Sequence, residues 1–498
     1  MIPALAYPEQ TAAPTNRSAI VLGTSGIVAA LIGGLLAGQI GGAARLVPAI
    51  LVAALIVALL AWRYPLVPLG FLLLAATLVE QFPIVGDGTD QIPLFVSFSS
   101  ALSLGGLYLT PIEVILPAFV LISLMRAILD RKPMVAWSPM VVALVGLMLL
   151  VLLAEVRGLG HGGSLIDSLW ELRPWLYLFL TFLISASIIR DQRSLSVLLW
   201  LFVIGTGLKA LQGTLRYFQL RNVVPRPEAI LAHEEGFFFG LFIILTIALW
   251  IFGIRGRLRA WSTALLPFVV IADLGNTRRT AWLIAGVGLV LLFLTAWIRL
   301  RDRRPLLRKL GLVVLAAGLV YFPLFWNSNG ALGQPARAFH SAVAPSGRDK
   351  QSDQYRTLED ANLALNIKWS TPLGVGFGVP IDYAIPIVDL SNLTHLIKFV
   401  PHDGLLYVWM RLGIFGAVVF WWVIALAFYS GGRVLRLMDH RVALFGAFVI
   451  CAIAAYLIQG TYDYGLYWFR MAIFIGVLLG ATQGILQNPA FAPAEKKP

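Results

Sequence analysis

Cysteine is almost missing from this chain: Cys451 is the single one among 498 residues and lies inside an apolar run, which excludes a disulfide framework and supports no redox chemistry. Charge is scarce as well, 13% of residues against about a quarter in soluble globular proteins, so a water-soluble domain is excluded. Short segments of alternating polarity, the mark of a membrane β-barrel, are lacking. Only 6 histidines occur, and none shows metal-ligand spacing. His233-Glu234-Glu235 would need a second histidine four residues after the first to form a zinc helix, and Phe237 stands there instead. Gly374, Gly376 and Gly378 do not make a dinucleotide fingerprint, because position 379 is valine and no βαβ pattern surrounds them. A tight turn outside the membrane accounts for them better. No internal repeat is visible.

What remains is a chain that is 59% hydrophobic, with mean hydropathy +0.83. Its apolar runs approach the roughly 20 helical residues needed to cross a hydrocarbon core, where the backbone must satisfy its own hydrogen bonds. The composition predicts an all-α polytopic membrane protein. About fourteen apolar segments fall at 19–40, 46–62, 65–80, 111–125, 134–155, 173–189, 194–216, 236–253, 260–275, 280–298, 310–325, 403–430, 441–458 and 466–486. Pro65 and Pro68 interrupt the short N-terminal runs, so 12 to 14 transmembrane helices are expected. Residues 1–17 are polar, no small-residue cleavage site follows the first apolar run, and that run reads as a retained helix.

The net charge of +13 follows from topology. With the N-terminus in the cytoplasm, Arg126/Arg131/Lys132, Arg190/Arg193, Arg255/Arg257/Arg259, the run from Arg299 to Lys309, Arg433/Arg436/Arg441 and Lys496/Lys497 share one side, as the positive-inside rule requires. Segments 81–110, 157–172, 217–235 and 326–402 then face outward. The last is the longest, and an amphipathic pattern near 353–368 predicts short helices inside it. Four stretches result: N-terminal helices (1–190), central helices with an Arg278-Arg279 motif (191–325), a large extracytoplasmic loop (326–402) and C-terminal helices (403–498).

Several polar residues have no topological explanation. Arg278 and Arg279 mark the outer mouth of a span, either as interfacial snorkelling side chains or in a salt bridge with Asp273, or else as an anion clamp at a helix start. Arg356 taken alone reads as a solvated residue of the loop helix. Asp463 and Arg470 flank the outer end of the last span, as a structural ion pair or with Arg470 in a supporting role. His161, His340 and His395 read as solvated loop residues. His402 stands between Pro401 and Asp403 where the long loop re-enters the membrane. It either caps the following helix or acts as a proton acceptor, since imidazole changes charge near neutral pH, with Asp403 or loop backbone orienting it.

These residues resemble the bacterial O-antigen ligase and O-antigen polymerase superfamily over roughly residues 194–486. N-T-R-R-T-A-W-L resembles a family T-x-S-R motif, with Arg279 on its arginine and Arg278 replacing a serine. Arg356 followed by Pro372, Gly374 and Gly376 resembles a loop arginine with a P-x-G-x-G turn. His402-Asp403 with Gly413-Ile414-Phe415-Gly416 resembles a closing H-N and G-hydrophobic-x-G helix, aspartate replacing asparagine. The resemblance implies a multi-pass protein of the bacterial inner membrane with a periplasmic active site, acting in cell-envelope polysaccharide or lipopolysaccharide biosynthesis. Its donor would be an undecaprenyl-diphosphate-linked glycan and its acceptor a glycan or lipid-glycan, in contact with membrane lipid, with no nucleic acid, cofactor or metal. His402 would be the base and Arg279 and Arg356, with Arg278, would hold the diphosphate. A polymerase joining lipid-linked repeat units is the alternative within the class. A lipid-linked oligosaccharide flippase is the rival outside it, disfavoured because the candidate charges gather at the outer boundary and not at the midplane.

Overall fold

The computed structural model describes residues 46–81, 94–97, 108–223, 229–328, 330–345, 347–391, 395–488 and 491. The expected first span at 19–40, the polar segment 1–17 and Lys496/Lys497 lie outside the described residues. Among the described residues fifteen α-helices are formed: α1 Leu46–Arg63, α2 Leu66–Leu78, α3 Pro111–Leu129, α4 Pro139–Gly160, α5 Leu165–Ile188, α6 Gln192–Leu220, α7 Glu235–Ile251, α8 Arg257–Asn276, α9 Arg279–Arg299, α10 Arg304–Phe325, α11 Gln334–Val343, α12 Gly347–Trp369, α13 Gly404–Leu435, α14 His440–Tyr462 and α15 Phe469–Gln487. No strand occurs among the described residues. The protein is an all-α polytopic membrane protein. Nine of the described helices are long and apolar enough to span a bilayer, and the apolar α2 and α7 are shorter.

Helix starts follow local chemistry. Ser138 accepts from Val141 N at 3.2 Å ahead of Pro139, so α4 begins at 139 and not at 134. Asp191 accepts from Ser194 N at 2.7 Å and opens α6. The span expected at 173–189 instead begins at Leu165, because Ser164 caps α5 and its charged first half is buried by pairing. Arg173 meets Glu113 at 2.7 Å and Glu171 meets Arg411 at 2.7 Å. The expected outward loop 157–172 therefore shrinks to residues 161–164 between α4 and α5. Hydropathy missed these two turns of helix because it scores a charge without knowing its partner.

The centre of the bundle is α15, whose spanning window is 94% buried, whereas that of α10 is 6% buried. α15 packs along α5, and a Cβ on Gly476 or Gly480 would stand 2.3 Å from Leu178 O or Phe182 O. Such small-residue ridges let membrane helices approach closely. Further pairs are α6 with α8 and α2, α13 with α14 and α4, and α9 with α14 and α7.

The long loop is anchored by the G-V-G-F-G turn, which threads between α4, α5 and α13. Phe377 N donates to Ala154 O at 3.1 Å, Gly378 N to Glu171 at 2.5 Å and Arg157 Nε to Gly374 O at 2.8 Å. Arg411, fully buried in α13, donates to Gly376 O, Val379 O and Phe399 O while pairing with Glu171. Gly413, the break in α13 at φ +69°, lies against Pro372 O, so the two glycine motifs of the sequence meet in space. At Gly376, φ is +84° and a Cβ would stand 2.4 Å from Gly158 N. Gly376→Ala is expected to lower stability by about 1–3 kcal/mol and to expose residues 371–380 to proteolysis. Thermal unfolding in detergent checks this, and an unchanged midpoint would refute it.

Candidate active site

Six helix ends converge on one end of the bundle: the C-termini of α8 and α14 and the N-termini of α7, α9, α13 and α15. The basic stretches between α7 and α8, between α9 and α10, and between α13 and α14 lie at the opposite ends of these helices. Asn276 builds the first corner. Its Oδ1 accepts from Leu231 N at 3.1 Å and its Nδ2 donates to Ala232 O at 3.1 Å, pinning the segment that leads to His233 beside the α8–α9 turn. Thr277 takes the left-handed conformation, φ 53°, and turns the chain so that Arg278 caps α9 and Arg279 opens it. Two guanidinium groups at a helix N-terminus are unfavourable for the helix dipole and suited to an anion. Asp273 makes no ion pair with them; its carboxylate is buried with both oxygens lacking a hydrogen-bond partner.

Helix α12, in the long loop, supplies the other wall. It is a 23-residue helix, longer than the expected short helices, and its Asp353, Arg356, Glu359 and Asp360 recur at spacings of three and four, so they share one face. Arg279 donates to Asp353 at 3.1 Å and to Ser341 Oγ of α11 at 3.2 Å, and Arg356 approaches the same Asp353 oxygen at 4.0 Å. One turn along, a single oxygen of Glu359 contacts both the backbone N–H of His402, at 2.9 Å, and its Nδ1, at 3.0 Å. Glu359 is fully buried while the His402 side chain is 17% exposed. A carboxylate at Nδ1 assigns the proton to that nitrogen and leaves the Nε2 lone pair free to accept one. Tyr464 lies against the imidazole with ring centres 4.2 Å apart, and Tyr355 stands edge-on at 5.6 Å.

Asp403 does not orient His402. It is the N-cap of α13, accepting from Leu405 N at 2.8 Å and Leu406 N at 3.0 Å, and two residues of local chain keep it on that task. Burial raises its carboxyl above the usual range. Asp360 is pushed up to about 6 by burial and then by Asp403 and Glu359, against the pull of His402 and Arg356. Its folded value lies above the unfolded one, so its contribution to stability is complete at low pH and is lost as pH rises through about 6. Asp463, next to the site, accepts from His233 at 3.3 Å. Burial alone would raise it, but His233, Arg278 and Arg356 outweigh that and hold it well below the carboxylate range.

Arg470 lies in a different group. It pairs with Glu234 at 2.9 Å, Glu235 at 2.5 Å and Glu80 at 3.4 Å, fully buried, and Lys209 joins through Glu80 and Glu235. Arg470 does not pair with Asp463, as the flanking positions had suggested. Among the other histidines, His395 contacts Asp167 at 3.3 Å and remains exposed, and the ring of His340 packs on Trp326. Among the described residues no three His, Cys, Asp or Glu side chains are arranged to hold a metal ion.

The arrangement thus places a carboxylate-bound imidazole and guanidinium groups that share Asp353 along one face of α12. Residues 268–421 match the O-antigen ligase family model, Wzy_C. No curated protein matches the chain. The O-antigen ligase match runs from α8 into α13 and encloses Arg278, Arg279, Asp353, Arg356, Glu359 and His402, but not His233, Asp463 or Tyr464. Lipid-linked glycan transfer at a membrane is, in general terms, the function this O-antigen ligase match supports. Sequence reading had missed Glu359 and Asp353. Their signal was present in the i, i+3 spacing around Arg356, on an amphipathic helix already anticipated.

Within the O-antigen ligase match, Glu359 tests the orientation of the imidazole. Glu359→Gln keeps an oxygen for the His402 N–H but removes the carboxylate at Nδ1. Glycan transfer is expected to fall about a hundred- to ten-thousandfold with unchanged unfolding temperature. A loss of less than about threefold would remove Glu359 from the mechanism.

Proposed function

We propose that this protein transfers a glycan from an undecaprenyl-diphosphate carrier to an acceptor hydroxyl at the periplasmic face of the inner membrane, in the manner of an O-antigen ligase. The observation that carries this reading is the Glu359–His402 pair on the same wall as Arg356 and Asp353, with Arg279 bonded to Asp353. The basic stretches at the other ends of the same helices support a periplasmic site.

In this reading His402 Nε2 takes the proton of the acceptor hydroxyl as its oxygen bonds to the anomeric carbon. The bond from that carbon to the diphosphate oxygen breaks, and its electron pair leaves with undecaprenyl diphosphate. Arg279 and Arg356 exchange their contact with Asp353 for the diphosphate and stabilise the charge that develops there, with Arg278 beside them and no metal ion required. The products are the extended acceptor, the free lipid diphosphate and a protonated His402. Arg470 plays no direct part; it holds α2, α7 and α15 together behind the site.

Purified protein supplied with a defined undecaprenyl-diphosphate oligosaccharide, with and without a lipid-glycan acceptor, tests the proposal. A ligase makes product only with the separate acceptor; lengthening of the donor alone identifies a polymerase. Movement of donor across a vesicle membrane without any glycosidic bond would overturn both. Arg279→Ala is expected to reduce transfer about ten- to a hundredfold, the equivalent of losing one charge-assisted contact, and wild-type turnover would exclude it from diphosphate binding.

A further inference from the structure

A cavity of about 400 Å³ opens at the end of the bundle opposite His402, between the N-terminus of α6, the α7–α8 turn and the start of α14. Its wall is apolar, with Leu195, Leu199, Leu249 and Leu258, and its mouth carries Arg255, Arg257 and Arg441 with Gln192 and Ser196 as polar neighbours. Among the described residues no acidic side chain lines it. The two carboxylates adjoining it are engaged: Asp191 accepts from Ser194 N at 2.7 Å, and Asp439 accepts through one oxygen from Arg441 N at 2.7 Å and Val442 N at 3.1 Å and through the other from the lining side chain of Gln192 at 3.0 Å. All three arginines are exposed, and no ion pair engages them among the described residues.

Exposed Trp250 and Trp261 stand on the same helix ends. Tryptophan gathers where hydrocarbon gives way to headgroups, so the cavity lies at headgroup depth, its leucines on the hydrocarbon side and its arginines on the aqueous side. Arg259 stacks on the Trp250 ring at 4.2 Å and fixes that boundary. A basic loop that served topology alone would need neither a cavity nor an apolar wall beneath its charges.

We propose that this cavity binds an anionic glycerophospholipid, its phosphate held by Arg255, Arg257 and Arg441 and the upper part of an acyl chain resting on Leu195, Leu199 and Leu258. Basic pockets between membrane helices recognise phospholipid headgroups in this way. The occupant is a lipid and not a free anion, because a soluble anion would gain nothing from the leucine wall. This site is independent of the glycan-transfer reading and about a bundle length from it.

The test is native mass spectrometry of the full-length protein with equimolar phosphatidylglycerol and phosphatidylcholine. Phosphatidylglycerol adducts are expected to dominate, and each arginine changed to glutamine should weaken the preference about fivefold. Ser196→Trp fills the cavity without altering charge and is expected to abolish the preference, whereas Arg433→Gln with Arg436→Gln, in the same basic region but outside the cavity, should preserve it. Equal binding of the two lipids, a preference that survives Ser196→Trp, or displacement by inorganic phosphate at concentrations equal to the lipid would each overturn the proposal. Should one of the arginine variants fail to fold, the remaining single arginine variants and Ser196→Trp decide it.

Discussion

His402→Ala is expected to insert, fold and purify like the parent protein and to form glycan product at least about a hundredfold and up to ten-thousandfold more slowly. The side chain is at the edge of the loop with 17% of its surface exposed, and its removal leaves the α13 N-cap made by Asp403 untouched. Stability should therefore change little, apart from Glu359 losing one of its two contacts while keeping the backbone N–H at position 402. Unaltered Arg279 and Arg356 should still bind the donor, so the defect should lie in turnover and not in donor affinity. Single-turnover kinetics with labelled donor separate the two. Parent-like turnover in this variant would eliminate the proton acceptor from the proposed mechanism, and loss of donor binding with normal turnover would reassign His402 to substrate recognition.

Arg411→Met is expected to have the largest effect on stability, about 3–5 kcal/mol. The substitution strands Glu171, fully buried and 2.7 Å from the guanidinium, without its counter-charge. It also removes three carbonyl contacts, at Gly376, Val379 and Phe399, that hold the glycine turn and the approach to His402. Thermal unfolding in detergent should show a large downward shift, with activity falling only because the loop is no longer seated. Adding Glu171→Met should recover much of the loss, since an apolar pair of similar volume avoids the desolvation of an unpaired carboxylate. Should the double variant prove no more stable than the single one, the ion pair is not the reason Arg411 matters.

The contrast between His402 and Arg411 shows how far one-dimensional reading reaches. His402 stood out because a loop-to-membrane boundary can be read from hydropathy, and a titratable group at such a boundary is conspicuous. Arg411 lies in Y-V-W-M-R-L-G, where it reads as a charge inside an apolar helix with no nearby acid; its partner, Glu171, is 240 positions earlier, since 411 − 171 = 240. The buried set of Glu80, Lys209, Glu234, Glu235 and Arg470 likewise joins α6, α7, α15 and the segment after α2, and no local pattern couples these. Asp403, adjacent to the histidine, was the natural partner by proximity in sequence. The backbone turns it toward Leu405 and Leu406 instead, and the imidazole finds a glutamate 43 residues away.

The amino-acid order alone determined most of the described helical segments and the basic stretches between them, because each depends on hydrophobicity summed over about 20 neighbours or on a motif a few residues long. Tertiary packing alone decided which acid orients His402, which carboxylate lies between Arg279 and Arg356, and how the glycine turn locks onto Gly413. Helical periodicity states which side chains share a face. It does not state what that face will meet, since contacts between distant helices are selected by shape and charge complementarity across the whole bundle.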